Sequence, residues 1–173
     1  MSVKSYGEKQ GWKQLGKATM TDVSSVTFSN IPQDYTELVL VVSNVYASGS
    51  SETSLRINGI STTKYDYIMT DHSGSTVTTI ATSTANALGI NATNPSQDVS
   101  SRALIRFPGY SLPDNALHLI QSHYAQNDTA HGTVIVNGTC RGTGAAISSV
   151  TLLCSGSAIW LGSSATATLY GVM

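Results

Sequence analysis

Apolar and polar residues alternate with a period of two along most of this chain, and no stretch sustains the 3.6-residue period of an amphipathic helix. The alternation is clearest from Ile147 to Met173, where Val150, Leu152 and Cys154 interleave with Thr151, Leu153 and Ser155. After Gly156, the short run Ala158-Ile159-Trp160-Leu161 is closed by Gly162-Ser163-Ser164, and Thr166 to Val172 forms a third run. Runs of this kind bounded by Gly and Ser predict half-buried strands joined by tight turns. A terminal strand is stable only when paired, so the residues upstream must supply its neighbours and a facing layer.

Upstream, Val23 to Ile31 predicts a first strand with Val26 and Phe28 on one face, stopped by Pro32. Leu38 to Val42 is apolar on both faces and predicts a central strand covered on both sides. Ser54 to Ile60, with Leu55 and Ile57 on one face and an Asn58-Gly59 turn signal after them, and Lys64 to Met69 predict a hairpin. Residues 70–97 are rich in Ser, Thr, Asn and Gly. They predict an exposed or functional loop with short edge strands near Val77 to Ala81 and Ala87 to Ile90. Arg102 to Phe107, Ala116 to Tyr124 and Gly132 to Arg141 complete a set of nine or ten short strands. Such a set, punctuated by Gly, Pro and Asn, predicts an all-β antiparallel sandwich of jelly-roll type over residues 23–173, preceded by a basic arm over residues 1–22.

Composition sharpens this picture. A chain of 173 residues is long enough for one core, and its charged fraction of 11% is well below the ~25% of an average domain. Ser and Thr make up about a quarter of the residues, which predicts a neutral, hydroxyl-rich surface. A net charge of −1 lacks the basic footprint that a nucleic-acid partner requires. No apolar run approaches the ~18 residues of a membrane span, and the start does not read as a secretion signal. Without that signal, Cys140 and Cys154 are expected as buried free thiols in preference to a cross-strand disulfide. Neither a zinc site nor any other cofactor is expected.

Candidate chemistry is sparse. Four of the five lysines, Lys4, Lys9, Lys13 and Lys17, fall in the first 22 residues around Trp12. That segment reads either as a solvated leader that joins the first strand near Trp12, or as an anchor lying on an acidic partner surface. Asp66, Asp71 and His72 could approach a divalent cation, but nothing in their spacing brings Asp66 to the other two, and the plainer reading is polar residues at a strand end. Neither cysteine has a marked histidine partner, so an enzyme is not expected. Tyr46, Tyr65, Tyr67, Tyr110 and Tyr124 are candidates for an exposed platform that stacks on a saccharide or a protein, or for filling the sandwich edge.

Four blocks, FSNIPQDYTELVL, LRINGISTTKYDY, ALIRFPGYS and the terminal SSATATLYGV, are together similar to a group of tailed-bacteriophage virion proteins. Those proteins share a Phe-x-x-Ile-Pro-x-x-Tyr entry, an Arg-x-Asn-Gly strand end and a Leu-Tyr-Gly finish. The resemblance spans Phe28 to Val172. It implies a β-sandwich displayed on a virion as a capsid decoration (cement) protein, a head fibre or a tail-fibre module, and it carries over no catalytic residue. A sandwich of this size without a fibrous shaft points to decoration of the outer capsid. Assembly would occur in the host cytoplasm, with a major capsid protein or other virion proteins as partners and a dimer or trimer as the oligomer. The alternative is a tail receptor-binding module that recognises host glycans through the tyrosines.

Overall fold

The computed structural model describes residues 11–45, 52–73, 75–90, 101–112, 117–126, 132–141, 144–154, 160 and 164–173. Among these there is no helix. The first six strands are β1 (Trp12–Thr19), β2 (Ser25–Phe28), β3 (Glu37–Val45), β4 (Thr53–Ile57), β5 (Tyr65–Ser73) and β6 (Thr76–Ala85). They are followed by β7 (Leu88–Gly89), β8 (Ser101–Pro108), β9 (Leu117–Gln126), β10 (Gly132–Arg141), β11 (Val150–Cys154) and β12 (Thr166–Val172).

The strands form an antiparallel sandwich of two sheets. The larger has the order β1-β12-β3-β8-β9-β10-β5-β6, and the smaller β2-β11-β4-β7. The quartets β1-β12-β3-β8 and β2-β11-β4-β7 are the two halves of a jelly roll. The chain changes sheet from β1 to β2, β2 to β3, β3 to β4, β4 to β5, β6 to β7, β7 to β8, β10 to β11 and β11 to β12. Two inserted hairpins, β5–β6 and β9–β10, add four strands to one side of the larger sheet.

The core is the inward row across the larger sheet. Register places Leu169, Leu40, Ile105, Ser122, Val136 and Met69 side by side from β12 to β5, all buried. Leu55, Ile57, Val150 and Leu152 of the smaller sheet are fully buried in the same cluster. Burying each such aliphatic side chain contributes about 1.5–3 kcal/mol. Trp160 closes one end. It is fully buried, its backbone accepts from Asp22 N–H at 2.8 Å, and its indole N–H donates to Thr53 Oγ1 at 3.4 Å.

Four expectations change. Residues 12–19 of the basic arm are a strand, β1, hydrogen-bonded along β12. A bulge between Gln14 and Gly16 interrupts the alternation that would have revealed it. Ser54 to Ile60 and Lys64 to Met69 are not a hairpin, because β4 lies in the smaller sheet and β5 in the larger. The turn at Asn58-Gly59 (φ 50° and 68°) redirects the chain between sheets. Asn58 Oδ1 holds it in place by accepting from Ser148 N–H at 2.8 Å and Ser149 N–H at 3.2 Å. Within the expected 70–97 loop the edge strands near Val77 to Ala81 and Ala87 to Ile90 are present as β6 and β7, each at the edge of its sheet, but β6 is longer than expected and runs for 10 residues. Finally, β3 is only partly covered on its second side: Leu38, Leu40 and Val42 face the core, and outward Val39, between Tyr170 and Arg106 in the register, is 1% exposed, while Val41 is half-buried with no third layer over it among the described residues.

Candidate interaction surfaces

The outward face of the larger sheet is where apolar and basic groups meet solvent. At its β1 corner Trp12 is 55% exposed and lies 5.5 Å from the Tyr170 ring, tilted by 54°. Both aromatics belong to the outward register row, in which Gln14 opposes Tyr170 and Trp12 opposes Val172. Beyond the bulge, Lys17 opposes Thr168 on the same face. Lys13 does not join them. It opposes Gly171, and its ammonium sits 6.0 Å from the centroid of the Tyr35 ring, a cation–π approach. The bulge therefore divides the expected anchor. Trp12 and Lys17 point outward, Lys13 covers the sandwich edge, and Lys4 and Lys9 lie outside the described residues.

Further along the same face is a groove of about 670 Å³. Val41, Leu104 and Ile135 make its apolar floor, and Arg102, His123 and Thr133 supply its polar groups. The register row Val41–Leu104–His123–Ile135 carries the floor across β3, β8, β9 and β10. These residues were absent from the sequence candidates. The signal for them was the double-sided apolar run of β3, read there as a sign of two covering layers. Glu37 and Arg106 border the face with a two-pronged ion pair at 2.7 and 2.6 Å, which raises the Arg106 pKa chiefly through the hydrogen bonds to Glu37.

The tyrosines do not form a platform. Tyr65 and Tyr110 are fully buried, because each hydroxyl finds backbone partners inside the fold. Tyr65 accepts from Ile57 N–H and donates to the Ile60 carbonyl, and Tyr110 donates to the Pro32 carbonyl. Burial pushes both phenols above their ordinary pKa. Tyr67 is half-buried against the core beneath β7. Tyr46 and the Tyr124 side chain lie outside the described residues.

The titratable candidates separate as well. Asp66 pairs with Arg141 at 2.6 Å and accepts from Thr84 N–H at 2.9 Å. Asp71 opposes Val134 on the inward side, whereas His72 opposes Val77 on the outward side. Among the described residues no three His, Cys, Asp or Glu side chains gather as a metal site. Cys140 and Cys154 are buried in different sheets with no disulfide between them, and burial raises the Cys140 pKa. No helix among the described residues is long and apolar enough to cross a membrane.

The fold and these surfaces define an all-β jelly-roll sandwich with an open, weakly charged outer sheet. No family model matches the chain, and neither does any curated protein or solved structure.

Proposed function

We propose that this chain is a structural protein of a bacteriophage virion that decorates the outer capsid through protein–protein contacts, without catalysis. The sequence blocks from Phe28 to Val172 suggest the class. The observation that carries the docking mode is Trp12, more than half exposed on an ordered strand, with Tyr170 beside it and Lys17 on the same face. Tryptophan in such a setting is the residue type that most often dominates a protein interface, and Lys17 adds attraction to an acidic shell.

Removing residues 1–17 would delete most of β1 and so disturb the sheet; single substitutions test the anchor cleanly. Particles lacking the protein are mixed with wild type, Trp12→Ala or Lys17→Glu and imaged by electron cryomicroscopy. Wild-type density repeated over the capsid, lost with Trp12→Ala and weakened with Lys17→Glu, is the expected result. Density at the tail alone, or full decoration by Trp12→Ala, overturns this reading.

The groove favours a second reading, a tail module for host glycans. Its apolar floor beside His123, Arg102 and Thr133 has the mixed character of a saccharide site. Binding of the isolated protein to host-surface polysaccharide, abolished by Leu104→Arg, would select it.

A further inference from the structure

The two sheets end in four edge strands, and three carry devices that discourage further pairing. In the smaller sheet, β2 has 4 residues and β7 has 2, too short to template a partner. In the larger sheet, β1 has Lys13, Lys17 and a bulge. The fourth edge, β6, has none of these over most of its length. Its sequence TVTTIATSTA runs for 10 residues with no charge and no proline. Only one side is used, by β5, and among the described residues nothing pairs with the other. Thr and Val suit the strand state. Val77 is 59% exposed on the outward face and Ile80 is 43% exposed on the inward face.

We propose that β6 is an isologous interface, where two copies of this chain join antiparallel through β6 and continue the larger sheet across a two-fold axis. The charge pattern selects this occupant. A neutral strand gains nothing from an acidic or basic partner but meets its own copy without repulsion, since like charges opposed across strands are what destabilise such a pair. Joining β6 to β1 of another copy would set the bulge and lysines of β1 against it, and would propagate as an open or ring assembly. Antiparallel β6 to β6 closes at two copies.

Geometry narrows the register. Side chains alternate between faces, so in a continuous sheet each residue opposes one of the same parity, and the axis passes through a residue. Thr84, at φ 57° beside the bulge between Tyr65 and Tyr67, ends regular pairing. The free span is thus Thr76 to Ser83, and its middle falls on Thr79 or Ile80. An axis at Ile80 stacks the two Ile80 side chains; an axis at Thr79 sets Val77 opposite Ala81. Stable interfaces bury at least ~1,200 Å² in total, so the exposed Val77, Ile80 and Ile68 would contribute beside the backbone seam. This inference does not depend on the virion reading.

The test measures the mass of the full chain by sedimentation at tens of micromolar. Wild type is expected at twice the 18.1 kDa chain mass, and a Thr78→Lys/Thr79→Lys variant with an unchanged circular dichroism spectrum at the monomer mass. Single variants Thr79→Cys and Ile80→Cys are oxidised in parallel, with Ser29→Cys, just beyond the end of β2, as an exposed control. One β6 variant should form a covalent dimer many-fold faster than the control, while Cys140 and Cys154, being buried, stay silent. A monomeric or trimeric wild type overturns the proposal, and so does a dimer that persists in a folded lysine variant. If the lysine variant does not fold, cross-linking decides: equal rates at positions 29, 79 and 80 overturn it.

Discussion

The Tyr65 hydroxyl accepts a hydrogen bond from the Ile57 backbone N–H at 2.9 Å and donates one to the Ile60 carbonyl at 3.1 Å. One side chain of the larger sheet thereby fastens the crossing between the sheets. Tyr65→Phe keeps the ring but leaves the Ile57 N–H buried without a partner. A loss of about 1–3 kcal/mol is expected, read as a lower urea midpoint with an unchanged slope.

Alkali should act on the same region. Burial raises the Cys140 thiol above its ordinary 9.0 and the Tyr65 phenol above its ordinary 10.0. In the unfolded chain both ionise first, so their contribution is complete below those values and declines as pH rises toward the folded pKa values. Stability should hold to about pH 9 and then fall. In Cys140→Ala the first part of the fall should disappear, leaving an onset above pH 10, as measured by denaturation midpoints from pH 7 to 11.

Gly171 lies under the Tyr35 ring, and an added Cβ would overlap its carbons. Gly171→Ala must therefore displace a buried aromatic together with the Lys13 ammonium near it. Overpacking of this kind costs about 1–3 kcal/mol, or roughly 2–4 °C of melting temperature per kcal/mol at this chain length. Calorimetry should show the drop, and Tyr35→Leu should relieve part of it.

Ser122 sits in the inward row between Ile105 and Val136, fully buried, and among the described residues its hydroxyl has no hydrogen-bond partner. Removing an unsatisfied buried hydroxyl relieves a desolvation penalty of about 1–3 kcal/mol. Ser122→Ala should accordingly raise the melting temperature by a few degrees. An unchanged or lower value would mean that the hydroxyl is bonded to an internal water.

Alternation identified the sandwich, its jelly-roll type and most strands, because a sheet with one buried face writes its register into every second residue. The failures share one cause: they depend on partners distant in sequence. The bulge at Gln14/Gly16 obscured β1, so residues 1–22 read either as an anchoring arm or as a leader joining a strand near Trp12. For Tyr65 and Tyr110 the sequence left an exposed platform and a packed sandwich edge both open, and only the folded chain brings their hydroxyls to backbone groups of Ile57, Ile60 and Pro32. The outer groove was invisible for the same reason, since its floor is assembled from β3, β8 and β10.

The placement of β11 and β12 has a consequence for how the molecule forms. Each is an interior strand: β11 separates β2 from β4, and β12 separates β1 from β3. During synthesis β1 and β2 emerge early, yet neither has a hydrogen-bonding neighbour until strands from the far end of the sequence arrive. Such non-local seams place the fold among those that form in milliseconds to seconds rather than microseconds. Until then β3 and β4 keep open edges. The nascent chain is thus at its most adhesive before release, when shielding by a chaperone matters most.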